Sequence, residues 1–145
     1  MKFEINFLDL PTHEQPDLDA YKHALMNFDE EAWYGKSTGG AGFVAHEAGS
    51  PSWSLVLNPQ RGRGISLLTT VYSPTERFGD ELVSVATPEK MDEFVTTGQE
   101  VVVPSGSFVT PEQAWFAIED FCANPRVASP RLHWMSTDKL EYPLA

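Results

Sequence analysis

Ser52-Trp53-Ser54-Leu55-Val56-Leu57-Asn58, then Pro59-Gln60-Arg61-Gly62-Arg63-Gly64, then Ile65 to Tyr72: the reading of this stretch decides the fold. Trp53, Leu55 and Leu57 alternate with polar or smaller residues, the period of a half-buried strand. The Pro/Gly-rich hexapeptide is turn chemistry, and the run after it is rich in Ile, Leu, Thr and Val, so the two runs form a hairpin. Working outward, Phe43–Glu47 reads as a short strand joined through Ala48-Gly49-Ser50-Pro51, and Asp80–Ala86 as a further strand. This spacing predicts a meander of antiparallel hairpins.

The flanks supply the helices. Within residues 1–10, Phe3, Ile5 and Phe7 share one face of a first strand, with Glu4 and Asn6 opposite. Asp17 reads as an N-cap, and Leu18, Tyr21, Leu25, Phe28 and Ala32 recur at the 3- and 4-residue spacings of an amphipathic helix over 17–32. The glycines from Gly35 to Gly42 end it. Toward the C-terminus, Thr110, Pro111, Glu112 and Gln113 carry an N-cap, a proline in the first turn and a capping box. Ala114, Trp115, Ile118, Phe121 and Cys122 continue that helix over 111–123, and Asn124-Pro125 stops it. Thr87-Pro88 can open a short helical turn, Phe94–Thr97 can be extended, and Glu100–Val103 and Arg131–Met135 read as short strands. Together these predict one α+β domain over residues 1–145, an antiparallel sheet of about five or six strands with two main helices packed on it. Leu18, Tyr21, Leu25, Phe28, Ile118 and Phe121, with Trp53 or Leu55, are the expected core.

Composition narrows the function. Of the 145 residues, 21 are Asp or Glu and 10 are Lys or Arg, a formal net charge of −11. Phosphate binding needs clustered Lys and Arg, so nucleic acid and anionic membrane are excluded as direct partners, whereas a basic protein fits. The single cysteine, Cys122, cannot form an internal disulfide. No apolar run reaches the roughly 18 residues of a membrane span, and the first residues carry no secretory pattern, so the expected location is the cytoplasm.

Each catalytic motif fails at its context. Gly35-Lys36-Ser37 ends like a phosphate-binding loop, but the glycine required five residues earlier is Glu30. Gly40-Ala41-Gly42 lacks the strand a dinucleotide fingerprint needs before it. His13, His23, His46 and His133 show no zinc spacing. Cys122 lies on an apolar helix stripe, where cysteine is a small inert core residue. Arg61 and Arg63 read as an exposed hairpin tip rather than a phosphate contact. The expectation is therefore no enzyme, no cofactor and no metal. A metal-dependent hydrolase would need some of the acidic pairs, such as Asp92-Glu93 or Glu119-Asp120, to converge in a pocket.

The distal half carries a resemblance. Glu100-Val101-Val102-Val103-Pro104 leads into Ser105-Gly106-Ser107-Phe108-Val109, then the Thr110-Pro111-Glu112-Gln113-Ala114 helix start, Phe121, and Leu132-His133-Trp134. This order, with the Trp53–Leu57 and Gly64–Leu68 strands and the acidic stretch near Gly79-Asp80, resembles the first Imm family of immunity proteins from bacterial polymorphic toxin systems, over residues 40–135. The resemblance implies a non-enzymatic protein that binds a cognate toxin domain, often one acting on nucleic acid, such as a nuclease or deaminase, and blocks it.

Charge points to a basic toxin, because an acidic inhibitor is steered to a basic cleft. The acids expected to meet it lie at element ends: Asp29, Glu30 and Glu31 after the first helix, and Glu76, Asp80 and Glu81 around the central strands. Trp33 and Tyr34 beside the first group would be the aromatic anchors. An acidic adaptor or chaperone for a secreted effector is the alternative; it would bind an unfolded or terminal segment instead of a folded domain.

Overall fold

The computed structural model describes residues 1–7, 15–27, 29, 41–47, 52–71, 79–97 and 100–143. Six strands pair in the order β1 (Lys2–Phe7), β2 (Ala41–His46), β3 (Trp53–Gln60), β4 (Gly64–Val71), β5 (Asp80–Val85), β9 (His133–Ser136), every pair antiparallel. The seventh strand, β8 (Phe108–Val109), shares an edge of β4: β5 pairs with Leu68–Val71 and β8 with Ile65–Ser66. A separate two-stranded ribbon joins β6 (Phe94–Thr96) to β7 (Val102–Pro104). The antiparallel α+β architecture expected from the hairpin spacing is the one the chain adopts.

One face of the sheet is dry. Phe3, Ile5 and Phe7, Phe43 and Ala45, Trp53, Leu55 and Leu57, and Ile65 and Leu67 are buried in a single cluster. Helices α1 (Leu18–Met26) and α2 (Pro111–Ala123) cover it with Tyr21 and Leu25, and with Ala114, Trp115, Ala117, Ile118 and Phe121. Both Trp53 and Leu55 point inward, since residues two apart share a strand face. Rings thread the two layers together: Phe7 to Tyr21 at 4.8 Å, Tyr21 to Phe43 at 5.4 Å, Phe43 to Phe121 at 6.2 Å and Phe3 to Phe121 at 6.4 Å. Burial of each such side chain contributes about 1.5–3 kcal/mol.

Leu18 departs from expectation: it is 37% exposed. The inward face of α1 is Ala20, Tyr21, Ala24 and Leu25, with Tyr21 and Leu25 fully buried, the two alanines packed against the core cluster, and α2 as the helix's main neighbour. At 3.6 residues per turn Leu18 lies about 90° from the centre of that face. Phe28 lies outside the described residues. The start of α2 follows its sequence signals: Thr110 Oγ1 accepts from Gln113 N at 3.2 Å and Gln113 Oε1 accepts from Thr110 N at 3.0 Å. Beyond α2, Arg131 grips Asp120 through Nε at 2.9 Å and Nη2 at 2.8 Å, reaches Glu119 at 2.7 Å, and lies 4.4 Å over the Phe116 ring. Burial alone would raise the Asp120 carboxyl, but hydrogen bonds from Arg131 and Ser129 and the Arg131 charge hold it below its usual range.

A buried hydroxyl chain joins the ribbon to the sheet. Ser107 Oγ donates to Pro104 O at 2.6 Å, so Ser66 Oγ, 2.7 Å from Ser107 Oγ, must be the donor there. Ser84 Oγ donates to Ser107 O at 2.6 Å and accepts from Leu67 N at 3.0 Å. The adjacent Gly106 carbonyl accepts from Ala86 N at 2.8 Å and Thr87 N at 2.9 Å. The approach is so close that a Cβ on Gly106 would stand 2.2 Å from Thr87 O. Gly64, at φ +116°, is likewise pressed against the Val109 carbonyl, at 2.5 Å from where a Cβ would be.

Candidate interaction face and its cavity

The strand residues that alternate with the core set face the other way. Register aligns them in rows across the sheet. One row runs Glu4, Val44, Ser54, Thr70, Glu81, and the next runs Asn6, Gly42, Val56, Leu68, Val83, Met135. Val44, Val56 and Leu68 are half-buried, and Glu4 and Glu81, at the two ends of their row, are exposed. Ser54 Oγ donates to Thr70 Oγ1 at 3.1 Å within the row. A Cβ at Gly42 would meet no heavy atom within 4 Å, so the face is open at that point. Half-exposed aliphatics between acidic ends match the anatomy of protein interfaces, with an apolar middle and a charged rim.

At the β4–β5 end the ribbon stands over this face. Val101, Val102 and Val103 enclose, with Asn58, Ser66, Leu68, Glu81, Val83 and Tyr142, a cavity of about 180 Å³. Asn58 is 3% exposed and Ser66 is 1% exposed. Tyr142 is held by its ring contact with Phe94 at 5.0 Å. Its phenol is pushed above the usual value, by burial first and the Glu81 carboxylate second. A second, wider cleft of about 550 Å³ lies beside β9, with Met91, Phe94, Met135 and Leu140 among its walls and Glu89, Asp92 and Glu141 on its margin.

Of the acids expected to meet a partner, Glu81 reaches this face. Its neighbour Asp80, exposed, belongs to the opposite side of β5, because successive strand residues alternate. Asp29 is exposed beyond the end of α1, and Glu30, Glu31, Trp33, Tyr34 and Glu76 lie outside the described residues. Glu4, Asn58 and Tyr142 were not singled out by sequence reasoning. Glu4 carried a usable signal, its position opposite Phe3 and Ile5 on the first strand. Asn58 and Tyr142 carried none, since only the register of distant strands brings them together.

The other chemical candidates resolve plainly. His46 Nδ1 lies 2.7 Å from Ser52 Oγ and its Nε2 lies 3.6 Å from Glu4 Oε1. Hydroxyl, imidazole and carboxylate are the parts of a hydrolytic triad, but at 3.6 Å the carboxylate makes no orienting hydrogen bond, and its side chain is 70% exposed. Among the described residues no group of three or more His, Cys, Asp or Glu side chains is placed to hold a metal ion. Cys122 packs against the core, and burial pushes its thiol up to about 12. That is an inert sulfur at neutral pH. Arg61 and Arg63 are exposed in the hairpin turn, and Arg63 Nη1 donates to Ser105 Oγ at 3.1 Å. Among the described residues no helix is long and apolar enough to cross a membrane.

No protein-family model, no curated protein and no solved structure matches the chain.

Proposed function

We propose that this chain is an immunity protein of the cytoplasm: it binds a folded, basic toxin domain through the outer face of its sheet and neutralises it by covering the active site. One observation carries the reading. Val44, Val56 and Leu68 form a half-exposed aliphatic centre bounded by Glu4 and Glu81, on a chain of net charge −11. An apolar centre supplies the desolvated contacts that slow dissociation, and acidic margins steer a basic partner into register. The resemblance of residues 40–135 to the first Imm family points the same way. The test is co-expression. Cells carrying the toxin survive with the wild-type chain and die with Val56→Lys, which places a charge at the centre of the face without entering the core. Equal survival with and without the wild-type chain refutes the reading.

The cleft beside β9 favours a second reading, an adaptor for a secreted effector. Met91, Phe94, Met135 and Leu140 offer an adaptable apolar wall beside a strand that ends the described sheet, as an extended segment would need. An adaptor binds the effector's isolated terminal segment and ignores the folded toxin domain, whereas an immunity protein does the reverse.

A further inference from the structure

β5 pairs with one side of His133–Ser136, and no described strand pairs with the other side. Alternate residues of β9 therefore direct their backbone N–H and C=O groups outward with no described strand to meet them. Proteins blunt such edges with proline or charged side chains, and His133-Trp134-Met135-Ser136 carries no proline, lysine or acid. Its protection is its length, four residues. Met135 stands in the outer row of Leu68 and Val83 and forms part of the 550 Å³ cleft. Among the described residues that line this cleft, Glu89, Asp92 and Glu141 carry three negative charges against one positive, on Lys139, and all four are exposed.

We infer that β9 accepts an extended, basic segment of a partner protein as an additional strand. The inference deepens the adaptor reading of this cleft, on which it rests, by fixing the chemistry of the segment and the mode of its capture. Backbone groups along a sheet edge are met by the backbone of another strand, whereas a helix spends its own backbone groups internally. Residues paired across two strands share a face, so the residue opposite Met135 projects to the side of the cleft. An apolar side chain there packs on Met135 beside Met91 and Phe94, and the two thioethers adapt to its shape. Residues two positions away on the segment share that face and approach the acidic margin. The surplus of carboxylates selects lysine or arginine at those positions and disfavours an acidic segment.

The test titrates the full chain in NMR with the capped peptide Thr-Lys-Thr-Leu-Thr-Lys-Thr, which places one leucine between two lysines on one strand face. Two control peptides accompany it. One carries Glu in place of both lysines. The other is N-methylated at the leucine and the threonine after it, adjacent residues that point to opposite edges. The basic peptide is expected to shift the β9 backbone amides and the Met91 and Met135 methyls in a saturable way, and to slow exchange of alternate β9 amides. N-methylation is expected to weaken binding at least about tenfold. Glu89→Lys combined with Asp92→Lys, both at exposed positions, is expected to weaken it about tenfold. Shifts that fall away from β9, equal binding of the Glu peptide, or an affinity unaltered in the double variant overturns the inference. Equal binding of the N-methylated peptide removes strand addition and leaves the adaptor reading of the cleft standing. No response to any of the peptides removes both, while the immunity reading stands or falls with cell survival.

Discussion

A methyl group on Gly106 has nowhere to go. Its carbon would stand 2.2 Å from Thr87 O, 3.0 Å from Met91 Sδ and 3.1 Å from Lys90 C. Carbon and carbonyl oxygen come to rest at about 3.3 Å, so the turn must retreat by about 1 Å. Two of the three obstacles are backbone, so no rotamer change relieves the clash. The retreat carries the Gly106 carbonyl away from Ala86 N and Thr87 N, which it holds at 2.8 and 2.9 Å. Overpacking costs about 1–3 kcal/mol, and each lost hydrogen bond adds about 1 kcal/mol, giving about 3–5 kcal/mol for Gly106→Ala. With a urea slope of about 2 kcal/mol per M, the unfolding midpoint falls by about 1.5–2.5 M. Tryptophan fluorescence reports it, since Trp53 and Trp115 are buried and Trp134 is half-buried. Gly42→Ala is the control: its Cβ would meet nothing, and its midpoint moves by no more than about 0.25 M. A Gly106→Ala midpoint as close to wild type as that would refute the clamp between ribbon and sheet.

Three further outcomes follow from the same structure. Asp120 has a folded value below its ordinary 3.8, so its contribution to stability is present above the unfolded value and lost as pH falls through the folded one; Asp120→Asn flattens the acid limb of melting temperature against pH below about pH 4, and an unchanged limb would contradict the Arg131 grip. Cys122, with its thiol raised from 9.0 to about 12, carries about a thousandth of the thiolate of an ordinary cysteine at pH 8, so its alkylation in the folded protein runs about a thousandfold slower than in urea, and comparable rates would show that the sulfur is not held in the core. Glu100 has φ +63°, a left-handed conformation unfavourable for a side chain, so Glu100→Gly raises stability by about 0.5–1 kcal/mol in the same urea assay; a loss of stability would show that the side chain is needed there.

Local chemistry was legible where one residue's neighbours in sequence are also its neighbours in space. Phe3, Ile5 and Phe7 announced a strand with one dry face, and the Thr110 to Gln113 capping box set the start of α2. Leu18 shows the limit of periodicity: spacing said which residues could share a face, and the packing of Ala20 and Ala24 against the core, beside Tyr21 and Leu25, shows where that face is centred. Asp80-Glu81 read as one acidic cluster, yet the pleat sends the two side chains to opposite sides. The cavity was beyond reach for another reason. Val101, Val102 and Val103 showed that something apolar sat there, but which strands lay beneath depended on the fold-back of the ribbon through Ser107 and Gly106.

The chain distance between paired strands is very uneven along the sheet. The β3–β4 hairpin closes through Arg61, Gly62 and Arg63, whereas Val83 meets Met135 only after about fifty residues of chain have passed. Pairing across so long a loop rewards the chain late, so β9 is expected to dock after the β3–β4 hairpin forms and to open more readily than β3 and β4 in the native state. Tyr142 follows β9 closely and forms one side of the cavity. Lifting the strand therefore carries off part of the wall, and deuterium enters the His133–Ser136 amides through that partial opening while the β3 and β4 amides stay protected. Any occupant of the cavity that touches Tyr142 slows this exchange in proportion to how tightly it binds, so the last strand keeps a clock on the site at the other end of its tether.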